Sequence, residues 1–215
     1  MKKCVFIPAV LVLSQAVFAS TVYVSLSGGH VAPYDSWANA ATTIQAAVDA
    51  AAPGDTVWVT NGVYDTGNAG LYAGVSNRIA IDKAVVVQSV NGPSNTSIVG
   101  LGPLTNHAIR CAYLGAGSLL AGFTLTNGHT CVTGDDSTAQ AGGGAWCEST
   151  AVISNGIVTG NNAGRNGGGV YGGWVVDSRV EGNSAYSTWF DEGDGFYKTR
   201  RDAYGNGGAA CGSFL

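Results

Sequence analysis

Along residues 40–52, Ala-Ala-Thr-Thr-Ile-Gln-Ala-Ala-Val-Asp-Ala-Ala-Ala, the apolar positions Ile44, Ala47, Val48 and Ala51 recur at i, i+3, i+4 and i+7. That spacing predicts one amphipathic helix near 43–52. Pro53-Gly54-Asp55 ends it, and Thr56-Val57-Trp58-Val59 follows with the alternation of a strand. Asn61-Gly62 then turns into Val63-Tyr64. From there the chain is a series of short apolar runs (Ile79 to Ile81, Ala84 to Val90, Ser97 to Val99) separated by Asn, Gly, Pro and Asp. No further helix of ten residues can be drawn.

The second half repeats itself. Gly122-Phe-Thr-Leu125-Thr-Asn-Gly128, Asn155-Gly-Ile-Val158-Thr-Gly-Asn161 and Asp177-Ser-Arg-Val180-Glu-Gly-Asn183 superimpose with an apolar residue at the centre and Gly or Asn closing a turn. A second series sets Ala108-Ile-Arg-Cys111 beside Gly144-Ala-Trp-Cys147, Gly169-Val-Tyr-Gly172 and Gly208-Ala-Ala-Cys211. Val158 and Val180 are 22 residues apart, and the triplets beginning at Gly142 and Gly167 are 25 apart. Periods of this size, with one short strand per signal and no helix, predict a single-stranded solenoid of β coils. In such a stack parallel strands lie about 4.8 Å apart, and Val57, Val59, Leu125, Val158 and Val180 should point inward.

Composition narrows the alternatives. The 215 residues include 33 glycines, yet 46% are apolar and only 11% charged, which is the opposite of a disordered profile. The glycines cluster instead of recurring every third residue, so collagen is excluded, and their density is too high for a helix bundle. The net charge of −4 and the lack of a basic stripe interleaved with aromatics argue against a nucleic-acid partner.

Met1-Lys2-Lys3 followed by the apolar run from Val5 to Phe18 and the small residue Ala19 has the layout of a secretory signal peptide. Residues 1–19 are therefore expected to be removed, with Ser20 opening a mature chain that is secreted or held at the cell surface. Eight basic residues then face 14 acidic ones, a net charge of −6. No second apolar stretch is long enough for a transmembrane segment. Cys111, Cys131, Cys147 and Cys211 remain after cleavage. Without a C-x-x-C pair they support neither a zinc ribbon nor a thioredoxin-type site.

These repeats, among them Gly142-Gly-Gly-Ala-Trp-Cys147 and Gly160-Asn-Asn-Ala163, resemble the pectin-lyase-like right-handed parallel β-helix superfamily, in particular large secreted bacterial proteins with Gly-Gly-Gly-aromatic-Cys and Gly-Asn-Asn/Ser-Ala repeats. The opening segment, Tyr23-Val24-Ser25 through Trp37, Ile44-Gln45 and Pro53-Gly54-Asp55-Thr56-Val57, resembles the start of that fold, where a short helix caps the first coil. The resemblance covers most of residues 20–185 and implies an all-β domain, residues 20–215, of five or six coils. Residues 186–204 interrupt the period: the triplet at Gly167 and its counterpart at Gly207 are 40 apart. Because the chain stops within a coil after Cys211, further coils or a C-terminal anchor are expected downstream. Cys111 and Cys147 occupy equivalent places in neighbouring coils of this scheme, within the Cα separation a disulfide accepts. A disulfide and a ladder of reduced thiols both fit that placement.

One β-helix hosts lyases, hydrolases, epimerases, adhesins and phage tailspikes, so activity rests on side chains. Pectate lyases of the superfamily cluster aspartates for calcium beside an arginine base; polygalacturonases carry Asp-Asp before Gly-His-Gly, then Arg-Ile-Lys. Here Gly128-His129 precedes Asp135-Asp136, His129 is followed by Thr130, and Arg-Ile-Lys is missing, so no catalytic residue is carried over. The stretch Gly167 to Gly172 fits G-x-G-x-x-G but opens no helix, which makes it a tight turn. His30, His107 and His129 lack metal spacing. The insertion holds the densest set of polar and aromatic groups: Trp189, Asp191, Glu192, Asp194, Tyr197, Arg200 and Arg201. Aromatic faces stack on sugars while carboxylates and guanidinium groups bond hydroxyls, so this loop is the candidate site for a polysaccharide or cell-surface glycan; its alternative is a structural flap. Asp191-Glu-Gly-Asp-Gly departs from the calcium-loop pattern, so Ca2+ there is an open possibility without a motif behind it, and no other cofactor is expected. The leading expectation is an exported scaffold that binds carbohydrate. A polysaccharide lyase or hydrolase whose catalytic coils lie beyond Leu215 is the second, and an adhesive or structural surface protein the third.

Overall fold

The computed structural model describes residues 19–191, 196–202 and 210–211. Three large sheets organise these residues. The first is parallel throughout and orders Thr21–Val24, Thr56–Val59, Val86–Ser89, Leu119–Ala121, Val152–Ser154 and Trp174–Val176. The second, also parallel, orders Gly62–Tyr64, Thr96–Val99, Thr124–Thr126, Ile157–Thr159 and Arg179–Glu181. The third runs from an antiparallel edge, Leu71–Tyr72 on Val75–Ile81, through Ile109–Leu114, Ala145–Cys147, Val170–Tyr171 and Ala210–Cys211. The chain visits the three sheets in rotation, so strands that neighbour each other in a sheet are far apart in sequence.

Register follows the apolar residues. Val57, Val87, Leu120, Ile153 and Val175 form one buried row of the first sheet, separated by 30, 33, 33 and 22 residues. Tyr64, Ile98, Leu125, Val158 and Val180 form a row of the second, and Leu125, Val158 and Val180 pair as their superposition in the sequence predicts. Val57, Val59, Leu125 and Val158 are fully buried, while Val180 is partly buried against the same core. The short period holds only for the last repeats. Earlier ones are longer because residues 65–70, 100–108 and 127–144 loop out between the second and third sheets.

The one helix among the described residues, Ile44–Ala50, begins where Thr43 accepts a hydrogen bond from the Ala46 N–H, an N-cap of the kind that threonine supplies. It buries Ile44, Ala47 and Val48. Its Gln45 amide pairs with both backbone groups of Ala80, accepting from N at 2.8 Å and donating to O at 3.2 Å. The side chain thus stands in for a neighbouring strand along Val75–Ile81.

Three buried polar side chains hold the repeats to each other. Asn161 Nδ2 donates to Leu125 O (2.9 Å), Thr159 O (3.1 Å) and Asn183 Oδ1 (2.9 Å), and its Oδ1 accepts from the Gly128 N–H at 2.8 Å. Asn183 continues the series onto Val158 O and Glu181 O. Arg110 is fully buried. Its Nε donates to Gly142 O at 2.7 Å, one terminal nitrogen to Tyr72 O and Asn77 Oδ1 at 3.2 Å each, and the other to Thr138 O at 2.9 Å and Ala141 O at 2.7 Å. Desolvation pushes its pKa down to about 9, which leaves it cationic at neutral pH.

The glycine triplets stack on each other. Gly142 and Gly167 have φ of +67° and +53°, a region that favours glycine. The N–H groups of Gly142, Gly143 and Gly144 donate to Asn166, Gly167 and Gly169 carbonyls. A Cβ on Gly143 would lie 2.5 Å from Asn162 O. With those N–H groups consumed, the triplet offers no cradle for a phosphate.

The cysteine register departs from expectation. Cys147 lies opposite Leu114, not Cys111, and Trp146 opposite Tyr113; Cys211 faces Tyr171, not Gly172. The row of aromatic residues sets the alignment here, which moves Cys111 three positions out of line with Cys147. Cys111, Cys131 and Cys147 are free thiols. Burial pushes the Cys111 and Cys147 pKa values up to about 12, so both stay protonated and poorly nucleophilic. No helix among the described residues is long and apolar enough to cross a membrane.

Two outcomes are expected. Non-reducing peptide mapping will recover Cys111 and Cys147 unlinked, and maleimide will label them only after unfolding. Asn161→Ala will lower the unfolding free energy in urea by about 2–4 kcal/mol, because it leaves several buried backbone groups unpaired.

Candidate functional site

The insertion singled out in the sequence folds as an antiparallel hairpin. Ser184–Asp191 pairs with Phe196–Asp202, setting Trp189 opposite Lys198, Phe190 opposite Tyr197, Ser187 opposite Arg200, Tyr186 opposite Arg201 and Asp191 opposite Phe196. Its first strand is anchored to the body, with Ser184 and Ala185 paired to Asn162 and Ala163. Glu192 and Asp194 lie outside the described residues. The insertion is therefore a continuation of a strand, and backbone pairing accounts for its two long arms.

Three other polar positions considered in the sequence have structural partners. Asp135 accepts from the Ser137 N–H and from the Ser137 and Thr138 hydroxyls; these bonds, the Ser137 hydroxyl foremost, hold its pKa below the ordinary carboxylate value. Asp136 pairs with Arg165 at 3.2 Å. His129 sits between Asn127 O at Nδ1 and the Asn162 amide at Nε2, so both ring nitrogens are used.

A row of aromatic rings crosses the third sheet: Tyr72, Tyr113, Trp146 and Tyr171. Successive centroids are 4.8, 5.6 and 6.2 Å apart with interplanar angles of 30°, 9° and 26°. The rings lie face to face at close to the strand spacing, so each inner ring covers its neighbours and has no free face to offer a sugar. Tyr72 and Tyr113 turn their hydroxyls toward Asp82 and Glu148, at 3.4 Å each, while Trp146 Nε1 donates to Ser137 O at 2.7 Å. Burial first, and then the adjacent carboxylates, raise both tyrosine pKa values. This row is a packing device that also tethers the 127–144 loop.

A shallow groove of about 720 Å³ at Pro93, Asn155, Ile157 and Arg179 has no aromatic ring in its lining, and two other cavities remain to be compared. One of about 230 Å³ lies under the helix, lined among others by Gln45, Asp49, Tyr64 and Arg78. Four of its polar side chains are bonded within the protein: Gln45 to Ala80 and Asp49, Tyr64 to Thr60 O, Arg78 to the Val99 and Gly67 carbonyls. The other is a shallow groove of about 670 Å³ where the first sheet bends into the second, formed by Ser25, Leu26, Ser27, Trp37, Thr60, Asn61, Val90 and Asn91. Leu26, Trp37 and Val90 expose 51%, 44% and 44% of their surface. Trp37 packs against Tyr23 at 62° with centroids 4.5 Å apart, a contact that can cover only one of its two faces. Around this apolar floor stand hydroxyls and amides. Asn91 Nδ2 donates to Asn61 Oδ1 at 2.8 Å, and the Ser25 and Ser27 hydroxyls are 3.2 Å apart. None of the lining residues is ionisable.

Register builds the groove. Val24, Val59 and Ser89 are strand partners, so the residues that follow them, Ser25, Thr60 and Val90 and then Leu26, Asn61 and Asn91, come to the same bend. Asn61-Gly62 and Asn91-Gly92 carried that equivalence in the sequence. Trp37, which lies on the segment before the helix, has no counterpart in the repeat, and its arrival at the bend is a tertiary event. Among the described residues no three His, Cys, Asp or Glu side chains converge on a metal-sized site. No protein-family model matches the chain, and neither the curated proteins nor the solved structures include one that matches it.

Proposed function

We propose that this chain is an exported right-handed parallel β-helix that binds an uncharged glycan in the groove at Trp37. The rotation of the chain through three parallel sheets with ladders of equivalent side chains supports the fold. The signal-like residues 1–19 support export. The groove supports the ligand class: an aromatic and aliphatic floor complements the apolar face of a sugar ring, and the serine, threonine and asparagine rim complements its hydroxyls. That amphipathic lining is the single observation that carries the reading.

The same lining favours binding over turnover at this place. Hydrolysis or elimination needs a general acid or base, and the groove supplies none. A lyase or hydrolase would need its acid and base from other residues. The hairpin at 184–202 supports a second reading, in which Trp189 or Tyr197 contacts the glycan, because it brings aromatic and basic residues into register on paired strands.

A glycan array separates the two. Trp37→Ala is expected to weaken binding of neutral oligosaccharides by about 1–2 kcal/mol, the order for losing one aromatic contact, with the circular dichroism unchanged. Removal of the hairpin beyond Thr188 is expected to leave that binding intact. Loss of binding on hairpin removal, with Trp37→Ala unaffected, would transfer the function to the hairpin. Absence of glycan binding by the intact exported protein would remove the carbohydrate reading.

A further inference from the structure

Asp55 is 4% exposed, and among the described residues no basic side chain pairs with it. Its carboxylate accepts from two backbone nitrogens, Ala52 N at 2.8 Å on Oδ2 and Ser20 N at 2.7 Å on Oδ1. Ser20 O in turn accepts from the Thr56 N–H at 3.0 Å, and Asp55 O accepts from the Val86 N–H. Ser20 is thus held at both its nitrogen and its carbonyl, immediately before the edge strand Thr21–Val24. The nitrogen that meets this carboxylate is the one that cleavage after Ala19 would set free.

We propose that removal of residues 1–19 converts the Ser20–Asp55 hydrogen bond into an ion pair that locks the first strand onto the body of the fold. The step is hydrolysis by a signal peptidase. Water adds across the Ala19–Ser20 amide, the C–N bond breaks, Ala19 leaves with a carboxylate, and Ser20 keeps the nitrogen as an ammonium. The donor stays in place while its charge changes from zero to +1, so a bond charge-assisted only by its carboxylate acceptor becomes one between opposite charges. Asp55 is suited to the role. Desolvation raises its pKa, but the Ser20 and Ala52 backbone N–H groups and the Ser20 hydroxyl together outweigh that and hold it below the ordinary value. It is therefore ionised before the ammonium arrives, a buried anion that cleavage supplies with a counterion.

The charged groups on the elements around this pair are few. Lys83 Nζ lies on the Ala51 and Asp49 carbonyls, at 3.0 and 3.3 Å, and Asp49 and Asp82 belong to the same corner; Thr21–Val24 and Thr56–Val59 contribute no ionisable group besides Tyr23. The pH signature follows. The lowered Asp55 pKa makes its contribution complete above the unfolded carboxylate value and lost as pH falls through the folded one. The ammonium, raised by Asp55 above its usual 7.7–8.0, contributes fully below that range and is lost as pH rises through its folded pKa. The uncleaved chain has only the acid limb.

This inference rests on residues 1–19 being a cleaved leader, which is tested first by N-terminal sequencing and intact mass of the protein exported from its own leader. A start other than Ser20 would overturn both. With Ser20 first, the processed protein is compared with the same protein selectively acetylated at its α-amine, which restores a neutral N–H. Acetylation is expected to lower Tm at pH 7 by about 4 °C and to abolish the loss of stability between pH 8 and 10. Asp55→Asn is expected to lower Tm more in the processed protein than in the acetylated one. Equal Tm values with and without acetylation, or an α-amine that titrates at its ordinary value, would overturn the lock while leaving the leader intact. If Asp55→Asn fails to fold, the acetylation and titration arms decide.

Discussion

A guanidinium buried without a carboxylate partner among the described residues constrains much of this molecule. Arg110 is surrounded by oxygens, four backbone carbonyls and one asparagine amide, drawn from residues 72, 77, 138, 141 and 142. An ion removed from water needs its hydrogen-bonding capacity filled. Here it is filled by loops that would otherwise have little reason to lie where they do. The long excursion between the second and third sheets returns over Arg110, which lets Ser137 reach Trp146 and brings Gly142 to the turn where the glycine triplets stack. The charge draws several carbonyl dipoles to one point, and the loop takes its shape from that point.

Asn161 and Asn183 solve the complementary problem with neutral groups. Where the chain turns from the second sheet toward the third, successive segments lie too close for water to serve their peptide groups, and buried peptides must be paired. The asparagine side chain, with both donor and acceptor capacity, supplies the missing partners. Residue chemistry at the turns is consequently absorbed by structure, as it is along the tyrosine and tryptophan row. The groove at Trp37 differs because its floor and rim are exposed, so its groups are available to a ligand.

Much of the fold was legible because its determinants are local or repeated. Ile44, Ala47 and Val48 mark the helix by spacing alone, and the apolar centres Leu125, Val158 and Val180 align without gaps because the turns around them have equal length. The cysteines misled for the converse reason. Matching Cys111 to Cys147 ignored a loop that shifts the register, and the aromatic neighbours Tyr113, Trp146 and Tyr171 were the better guide. The candidate site was less legible. Charge and aromatic density drew attention to residues 186–204, where antiparallel pairing accounts for the long arms. Trp37 gave no periodic signal, since its partners come from three segments that meet only when the sheets bend.

The separations within the sheets bear on how the chain assembles. Every parallel pairing in the three large sheets joins residues 22 to 40 positions apart. No strand has to wait for a partner from the far end of the sequence, so each row can close as soon as the next few dozen residues arrive, and the completed row offers a template for its successor. Loop closure on that scale is a modest entropic step. A polypeptide that becomes available from its N-terminus onward can therefore fold row by row, each closed row leaving a paired edge for the segment that arrives next.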